Sequence, residues 1–153
     1  DGGIARELCR HASVESIHQV EIDRAVVDMA REYFPNHSAG AFDDPRFNLI
    51  ISDGNQFVAD TELRFDLIIV DSTDPIGPGS SLFTQTFYRN CKRCLAAGGL
   101  LVTQNGVPFF QVDECLGSAR AFAEIFADWA FYSAAVPTYV GGIMAFGWAS
   151  DDA

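Results

Sequence analysis

Apolar runs and amphipathic stretches alternate along this chain, and the alternation sets its elements. Residues 4–11 follow Gly2-Gly3 and suit a short helix, and "SIHQVEID" (16–23) reads as a strand. "RAVVDMAREYF" (24–34) puts Val26, Ala30 and Phe34 at helical spacing, with Pro35 closing the helix. "FNLIISDG" (47–54) is a strand ending in Asp-Gly, "NQFVADT" (55–61) a short helix, and "RFDLIIVDSTD" (64–74) a buried strand built on the unbroken run Leu67–Val70. That run ends abruptly in Asp71, Ser72, Thr73 and Asp74, followed by "PIGPG". Ser80 or Ser81 is the expected cap of a helix over "LFTQTFYRNCKRCLAA" (82–97), and Gly98-Gly99 its terminator. "LLVTQN" (100–105) is another strand. Asp113 is the expected cap of a helix presenting Leu116, Ala119, Ala123 and Phe126 on one face. The tail "AFYSAAVPTYVGGIMAFGWAS" (130–150) has two strand-like runs around Pro-Thr-Tyr-Val-Gly-Gly, an antiparallel pair.

Strands alternating with helices imply an α/β fold, a doubly wound and mostly parallel sheet with helices on both faces. A C-terminal antiparallel hairpin added to it marks the Rossmann-like variant of class I S-adenosylmethionine-dependent methyltransferases. Ligands of such sheets sit beyond the carboxyl ends of the strands, where strand order reverses. The polar residues just after each strand therefore carry the functional question. They are acidic: Glu21 and Asp23, Asp53, then Asp71 and Asp74, with Gln104 after the next strand and Asp1 in the glycine-rich opening turn. Each alone reads more simply as a turn or helix cap. Their convergence on one crevice is the expectation that gives them meaning together. Glu21 stands about 20 residues after the glycine-rich turn, the interval at which a carboxylate accepts from ribose hydroxyls. Asp53-Gly54 lies where such folds meet an adenine, whose exocyclic amine is a donor.

Composition narrows the ligand. The chain has 153 residues, 48% of them hydrophobic, and a formal net charge of −11, which excludes disorder and fits one domain with a real core. Nucleic acid and anionic membranes require clustered Lys and Arg and are excluded as partners; a small cation suits this field. No apolar run reaches a membrane span, and the four scattered cysteines form no disulfide framework, which points to a reducing, cytoplasmic setting. Cys91-x-x-Cys94 falls inside a helical pattern without a second ligand pair and reads as core or helix surface. His11, His18 and His37 have no metal-ligand spacing; Trp129 and Trp148 read as core or interface, and Asp151-Asp152 as a solvated end.

The segments "DGGIARELCRHASVESIHQVEID", "FDDPRFNLIISDG", "VDSTDPIGPGSSLFTQTFY", "TQNG" and "PTYVGG" together resemble the polyamine aminopropyltransferases, most closely the bacterial spermidine synthases. The resemblance covers essentially the whole chain, and its Asp-Ser-Thr-Asp-Pro and Pro-Thr-Tyr segments are specific. In that family the opening turn is Gly-Gly-Gly-Asp-Gly-Gly. The resemblance therefore implies a catalytic, nucleoside-binding domain over 1–153 that begins at the turn's Asp, without the family's first strand and upstream β-rich domain.

The resemblance implies transfer of an aminopropyl group from decarboxylated S-adenosylmethionine to putrescine, giving spermidine and methylthioadenosine, with no metal or cofactor. Asp71 is the implied base, assisted by the Tyr139 hydroxyl. Asp1, Glu21, Asp53, Gly54 and Pro78 are implied donor contacts, Pro78 packing against the adenine. Asp1, Asp71, Ser72, Thr73, Asp74, Gln104 and Tyr139 are implied polyamine contacts. An Asp at position 1 with Asp71 opposite would attract the aminopropyl ammonium and repel the carboxylate of intact S-adenosylmethionine. Some family members carry an acid two residues after the Gln, whereas Asn105 and Gly106 follow Gln104 here. The resemblance further implies a homodimer or homotetramer for the full-length protein. Two alternatives stay open: a methyltransferase on the same fold, and an inactive nucleoside-binding module.

Overall fold

A computed structural model of the chain describes residues 1–152. The chain forms two compact units, Asp1–Phe57 and a second from Val58 onward.

In the first unit, α1 (Gly3–Cys9) precedes β1 (Ile17–Glu21), followed by α2 (Arg24–Tyr33), α3 (Pro35–Ser38) and β2 (Phe47–Ile51). β1 and β2 pair in parallel from Ile17↔Phe47 to Glu21↔Ile51. α2 starts where the Asp23 carboxylate accepts from the Ala25 N–H at 2.8 Å, and Pro35 ends it by opening α3 at its first position. The buried stripe of α2 is Val27 and Ala30, packed with Phe42 and flanked by Phe47 and Leu49. The expected stripe of Val26, Ala30 and Phe34 is thus rotated: Val26 and Phe34 are exposed. Apolar residues at 25, 26, 27, 29 and 30 make several registers equally amphipathic, and contact with Phe42 selects one. Arg46 ties the unit together, donating to the carbonyls of Cys9 (2.8 Å), His11 (3.0 Å) and Val14 (2.9 Å) and to both oxygens of Asp44. This guanidinium fork holds the Asp44 carboxyl well below the usual carboxylate range.

α4 (Gly54–Asp60) ends under Arg93, which donates to the carbonyls of Val58, Ala59 and Thr61. The second unit holds β3 (Phe65–Val70), α5 (Gln85–Cys94), β4 (Leu95–Gln104), α6 (Val112–Ile125), β5 (Asp128–Ala135) and β6 (Ile143–Ser150). Its sheet has the order β3-β4-β6-β5, with β3 parallel to β4 and β6 antiparallel to both neighbours. The expected terminal hairpin is β5–β6, paired from Asp128↔Ser150 to Ala135↔Ile143.

Four expectations about this unit are corrected. β3 is an edge strand whose Leu67 and Ile69 are exposed, not a buried central one, because only one of its sides is paired. The cap of α5 is Thr84, whose hydroxyl accepts from the Phe87 N–H at 3.2 Å; Ser80 and Ser81 instead donate within a 3₁₀ segment, Gly77–Phe83. α5 stops at Cys94, and Gly98-Gly99 lie inside β4, at a ladder irregularity between Phe65↔Leu95 and Leu67↔Leu100. α6 begins after Gln111, with Asp113 in its first turn, and buries Ser118, Ala121 and Phe122 rather than Leu116 and Ala123.

A polar hub explains the face α6 chooses. Asn105, with no exposed surface, accepts from the Thr103 hydroxyl (2.7 Å) and the Gly147 N–H (3.1 Å), and donates to the Ser118 hydroxyl (2.8 Å). Ser118 also bonds the Tyr88 hydroxyl at 3.0 Å. Satisfying these buried groups forces the polar Ser118 inward and outweighs the apolar stripe. Phe122 packs beside them against Tyr88, Phe126 and Phe131. Of the two expected placements, core or helix surface, Cys91 and Cys94 take the core, and burial pushes both thiols up. Asp151 and Asp152 are exposed, as expected, and Asp151 also pairs with Lys92 at 2.8 Å and accepts from the Ala127 N–H.

Asn105→Ala leaves Ser118, Thr103 and the Gly147 N–H short of partners, and its expected cost is about 2–4 kcal/mol. Urea denaturation measures it; a loss under ~0.5 kcal/mol would show that the hub is dispensable.

Candidate functional site

The acids at the strand ends separate into two groups by what they already hold. In the first unit, all three candidates accept a backbone N–H two residues onward. Asp1 accepts from Gly3 at 3.0 Å, Glu21 from Asp23 at 3.1 Å, and Asp53 from Asn55 at 2.8 Å. Asp1 also pairs with His37 Nε2 at 3.0 Å. The turn and cap roles that short acidic side chains favour are therefore real here. They leave acceptor capacity, since a carboxylate has about four lone-pair sites. Register places Glu21, opposite Ile51, and Asp53, two residues beyond Ile51, at the same end of the β1–β2 pair. Gly54 follows as the first residue of α4.

In the second unit four of the candidate side chains are unoccupied. Among the described residues, Asp71, Asp74, Gln104 and Tyr139 make no side-chain hydrogen bond or ion pair. Asp71 is the first residue past β3 and Gln104 the last of β4, and Val70↔Thr103 pair directly before them. Tyr139 lies in the turn between β5 and β6, its N–H donating to the Val136 carbonyl at 3.1 Å and its carbonyl accepting from Gly142 at 2.9 Å. Because Gln104 pairs with Phe146 near the start of β6, this turn lies at the end of the sheet where β3 and β4 finish. Three candidates from separate segments thus share one sheet edge. Half of the Tyr139 surface is exposed there.

The loop after Asp71 folds tightly. Ser72 donates to the Thr73 carbonyl at 3.1 Å and the Ile76 N–H to the Asp74 carbonyl at 2.6 Å. Pro78 sits exposed in the 3₁₀ segment that follows. The Ser72 hydroxyl is thus committed to its own loop, while Asp74 opens onto a cleft of about 330 Å³ lined also by Ile76, Phe110, Gln111, Asp113 and Glu114.

The acids at 113 and 114 escaped the strand-end reading because a loop of seven residues, 105–111, separates them from the end of β4. Gly106 sets that loop's path at φ 67°, a left-handed value favouring glycine, and a Cβ there would meet Gln111 Oε1 at 2.5 Å. Gln111 accepts from the Val107 N–H at 2.7 Å and donates to Glu114 at 3.2 Å. The loop also leans on the Tyr139 turn, where Phe109 stands so close that a Cβ on Gly141 would lie 2.6 Å from its ring. Burial, and secondarily the charge of Asp74, push the Glu114 carboxyl up to about 7. Asn105, the residue after Gln104, offers nothing to a ligand, since its amide is spent in the core. No cluster of three or more His, Cys, Asp or Glu suited to a metal occurs among the described residues, and no described helix is long and apolar enough to cross a membrane.

Comparison with known proteins gives these positions a context. Residues 1–153 match the family model described as the spermine/spermidine synthase domain. Polyamine aminopropyltransferase 1 of Pseudomonas aeruginosa is 62% identical over 150 residues, 98% of this chain and 52% of its own length. The polyamine aminopropyltransferase of Klebsiella pneumoniae is 60% identical over 152 residues, 99% of this chain and 53% of its own. The chain thus spans about half the length of these relatives. Among solved structures, a spermidine synthase in complex with the transition-state analogue AdoDATO superposes with a TM-score of 0.93 at 35% identity, covering 98% of this chain and 51% of that one. The Thermotoga maritima spermidine synthase gives 0.88 at 32%, covering 98% and 49%. The expected α/β, Rossmann-like fold of the methyltransferase type is the fold observed.

The raised Glu114 pKa has a stability consequence. The folded state holds this proton up to about pH 7, while the unfolded chain releases it near 4.5, so stability falls as pH rises through that window. Glu114→Gln removes the effect. Its Tm is expected to match the native protein's near pH 4.5 and exceed it at pH 8; equal Tm values at both would remove burial as the cause.

Proposed function

Because the chain belongs to the spermine/spermidine synthase family, we propose that it carries the chemistry of a spermidine synthase. The reaction is transfer of the aminopropyl group of decarboxylated S-adenosylmethionine to putrescine, giving spermidine and methylthioadenosine. The observation that supports this most is the pair Asp71 and Asp74, standing unpartnered at the sheet edge shared with Gln104 and Tyr139. Uncompensated carboxylates are what cationic ligands need when they leave water.

An alkyl amine has a pKa near 10.4 and arrives protonated, with no lone pair to attack. In this reading Asp71 takes that proton, with the Tyr139 hydroxyl helping to hold the nitrogen in line with the carbon–sulfur bond. The nitrogen lone pair then forms the new carbon–nitrogen bond. The carbon–sulfur pair returns to sulfur, and the sulfonium becomes the neutral thioether of methylthioadenosine. Asp74, Ser72, Thr73 and Gln104 hold the diamine, Ser72 and Thr73 largely by shaping the loop. Glu21 accepts from the donor's ribose hydroxyls and Asp53, beside Gly54, from its adenine amine, while Pro78 packs on the ring. Asp1 attracts the aminopropyl ammonium and repels the carboxylate of the intact cofactor.

The same reading takes the donor as a co-substrate, with no cofactor, and assigns residues 1–153 to the catalytic domain of a longer cytoplasmic enzyme that assembles as a homodimer or homotetramer. A methyltransferase would instead prefer intact S-adenosylmethionine, and an inert nucleoside-binding module would bind methylthioadenosine without turnover.

The test uses the full-length protein with putrescine and decarboxylated S-adenosylmethionine, following methylthioadenosine release. Asp71→Asn is expected to lower kcat by about 10²–10⁴-fold while methylthioadenosine affinity stays within about threefold. Retention of more than about a tenth of the rate would remove Asp71 as the base. Faster turnover of intact S-adenosylmethionine than of its decarboxylated form would favour the methyltransferase.

A further inference from the structure

The glycine-rich turn of the first unit leans on a histidine, and that contact gives the Asp1 carboxylate a fixed aim. One oxygen of Asp1, Oδ1, closes the turn by accepting from the Gly3 N–H at 3.0 Å. The other, Oδ2, meets His37 Nε2 at 3.0 Å, on a segment that returns to the turn only after β1 and α2. An ionised carboxylate can only accept, so this hydrogen bond needs the imidazole proton on Nε2. Both oxygens are then oriented, and about two lone-pair sites remain free on a side chain that is more than half exposed.

His37 is held for this contact from several sides. Its N–H donates to the Phe34 carbonyl at 2.8 Å, and its carbonyl accepts from Arg6 Nη1 of α1 at 2.9 Å. The next residue, Ser38, is buried against the turn: a Cβ on Gly2 would stand 2.8 Å from the Ser38 Cβ and 2.7 Å from the Phe42 ring. Gly2 also has φ 90°, so only a bare residue lets the turn seat there. α3 then closes at Ala39 with φ 45°, a left-handed value that costs a residue with a Cβ. The imidazole itself lies over the turn, its Nε2 only 2.7 Å from where a Cβ on Gly3 would be.

The kind of partner matters as much as its place. A guanidinium or ammonium on Asp1 would cancel its charge, whereas an imidazole donates from Nε2 while neutral. The cation that α1 brings to this turn is diverted: Arg6 Nε donates to Glu7 at 2.8 Å, and Nη1 goes to the His37 carbonyl. Arg10 is likewise spent on Glu7, at 3.0 Å. Among the described residues no Lys or Arg pairs with Asp1.

Resting on the spermidine synthase reading, we propose that His37 is a positioning residue, whose Nε2–H fixes the Asp1 carboxylate for the ammonium of the donor's aminopropyl arm without neutralising it. His37 touches no substrate in this role. A carboxylate tied to Gly3 alone would keep rotational freedom that binding must then remove, and an ammonium leaving water needs its partner already in place. The effect is confined to the arm. Methylthioadenosine has the donor's adenine, ribose and sulfur but no arm, so its binding does not depend on the aim of Asp1.

The ratio of the two affinities therefore isolates the role, and calorimetry without putrescine measures both. In the full-length protein, His37→Ala is expected to weaken binding of decarboxylated S-adenosylmethionine about 5–50-fold, with methylthioadenosine affinity within about threefold of native. His37→Gln, whose amide N–H reaches a similar distance without charge, is expected to restore donor binding to within about threefold. An unchanged ratio in His37→Ala would overturn the assignment, whether both affinities hold or both fall together as a merely structural role would make them. So would a His37→Gln variant that binds the donor no better than His37→Ala. A native protein that releases no methylthioadenosine with putrescine would instead refute the underlying enzyme reading, and this inference with it.

Discussion

One buried amide governs the working end of the second unit. Asn105 is the first residue after β4, and its three side-chain hydrogen bonds reach back along β4, across to β6 and up to α6. Since an amide buried without partners is costly, the chain has one low-energy way to leave the strand. That way keeps Gln104 at the sheet edge and aims the following loop toward the β5–β6 turn. The rigidity of the candidate site therefore comes from a residue that touches no ligand. Its position one step past Gln104 shows how core and site share a single segment, with consecutive residues serving opposite purposes.

The distribution of satisfied and unsatisfied carboxylates follows the same division. Asp23, Asp44, Asp53 and Asp151 all spend their charge on backbone donors or a basic partner, and each closes a turn, caps a helix or pins a terminus. Asp71 and Asp74 do none of this. These two face outward, next to a partly buried third at Glu114. The negative field at that edge is maintained at the expense of local stability, and cationic ligands are the natural counterweight.

Much of this was legible from residue order alone, and most of the failures share a cause. The strand–helix alternation, the terminal hairpin and the acids after each strand are local patterns, and each is present in the structure. The inward face of α6 was misread because a stripe of Leu116, Ala119, Ala123 and Phe126 looks amphipathic, yet a hydroxyl demanded by Asn105 turned the helix. The face of α2 was misread for a related reason, since crowded apolar residues left the choice to Phe42. The cap of α5 moved to Thr84 because the serines upstream were already engaged in the 3₁₀ segment. Glu114 was passed over because seven intervening residues hide its return to the strand end. For both helix faces the deciding partner is distant in sequence, which periodicity cannot see; for the α5 cap it is a local turn that composition does not reveal.

The left-handed turn at Gly106 has a further consequence, for how such a chain can diverge. Introducing an acid at 106 alone would force a side chain into a strained backbone and into the Gln111 amide; changing Gln111 alone would strip the Val107 N–H and Glu114 of their common partner. A bare glycine at 106 thus leaves room for the Gln111 amide to reach both the Val107 N–H and Glu114, so the residue at one position sets what the other can hold.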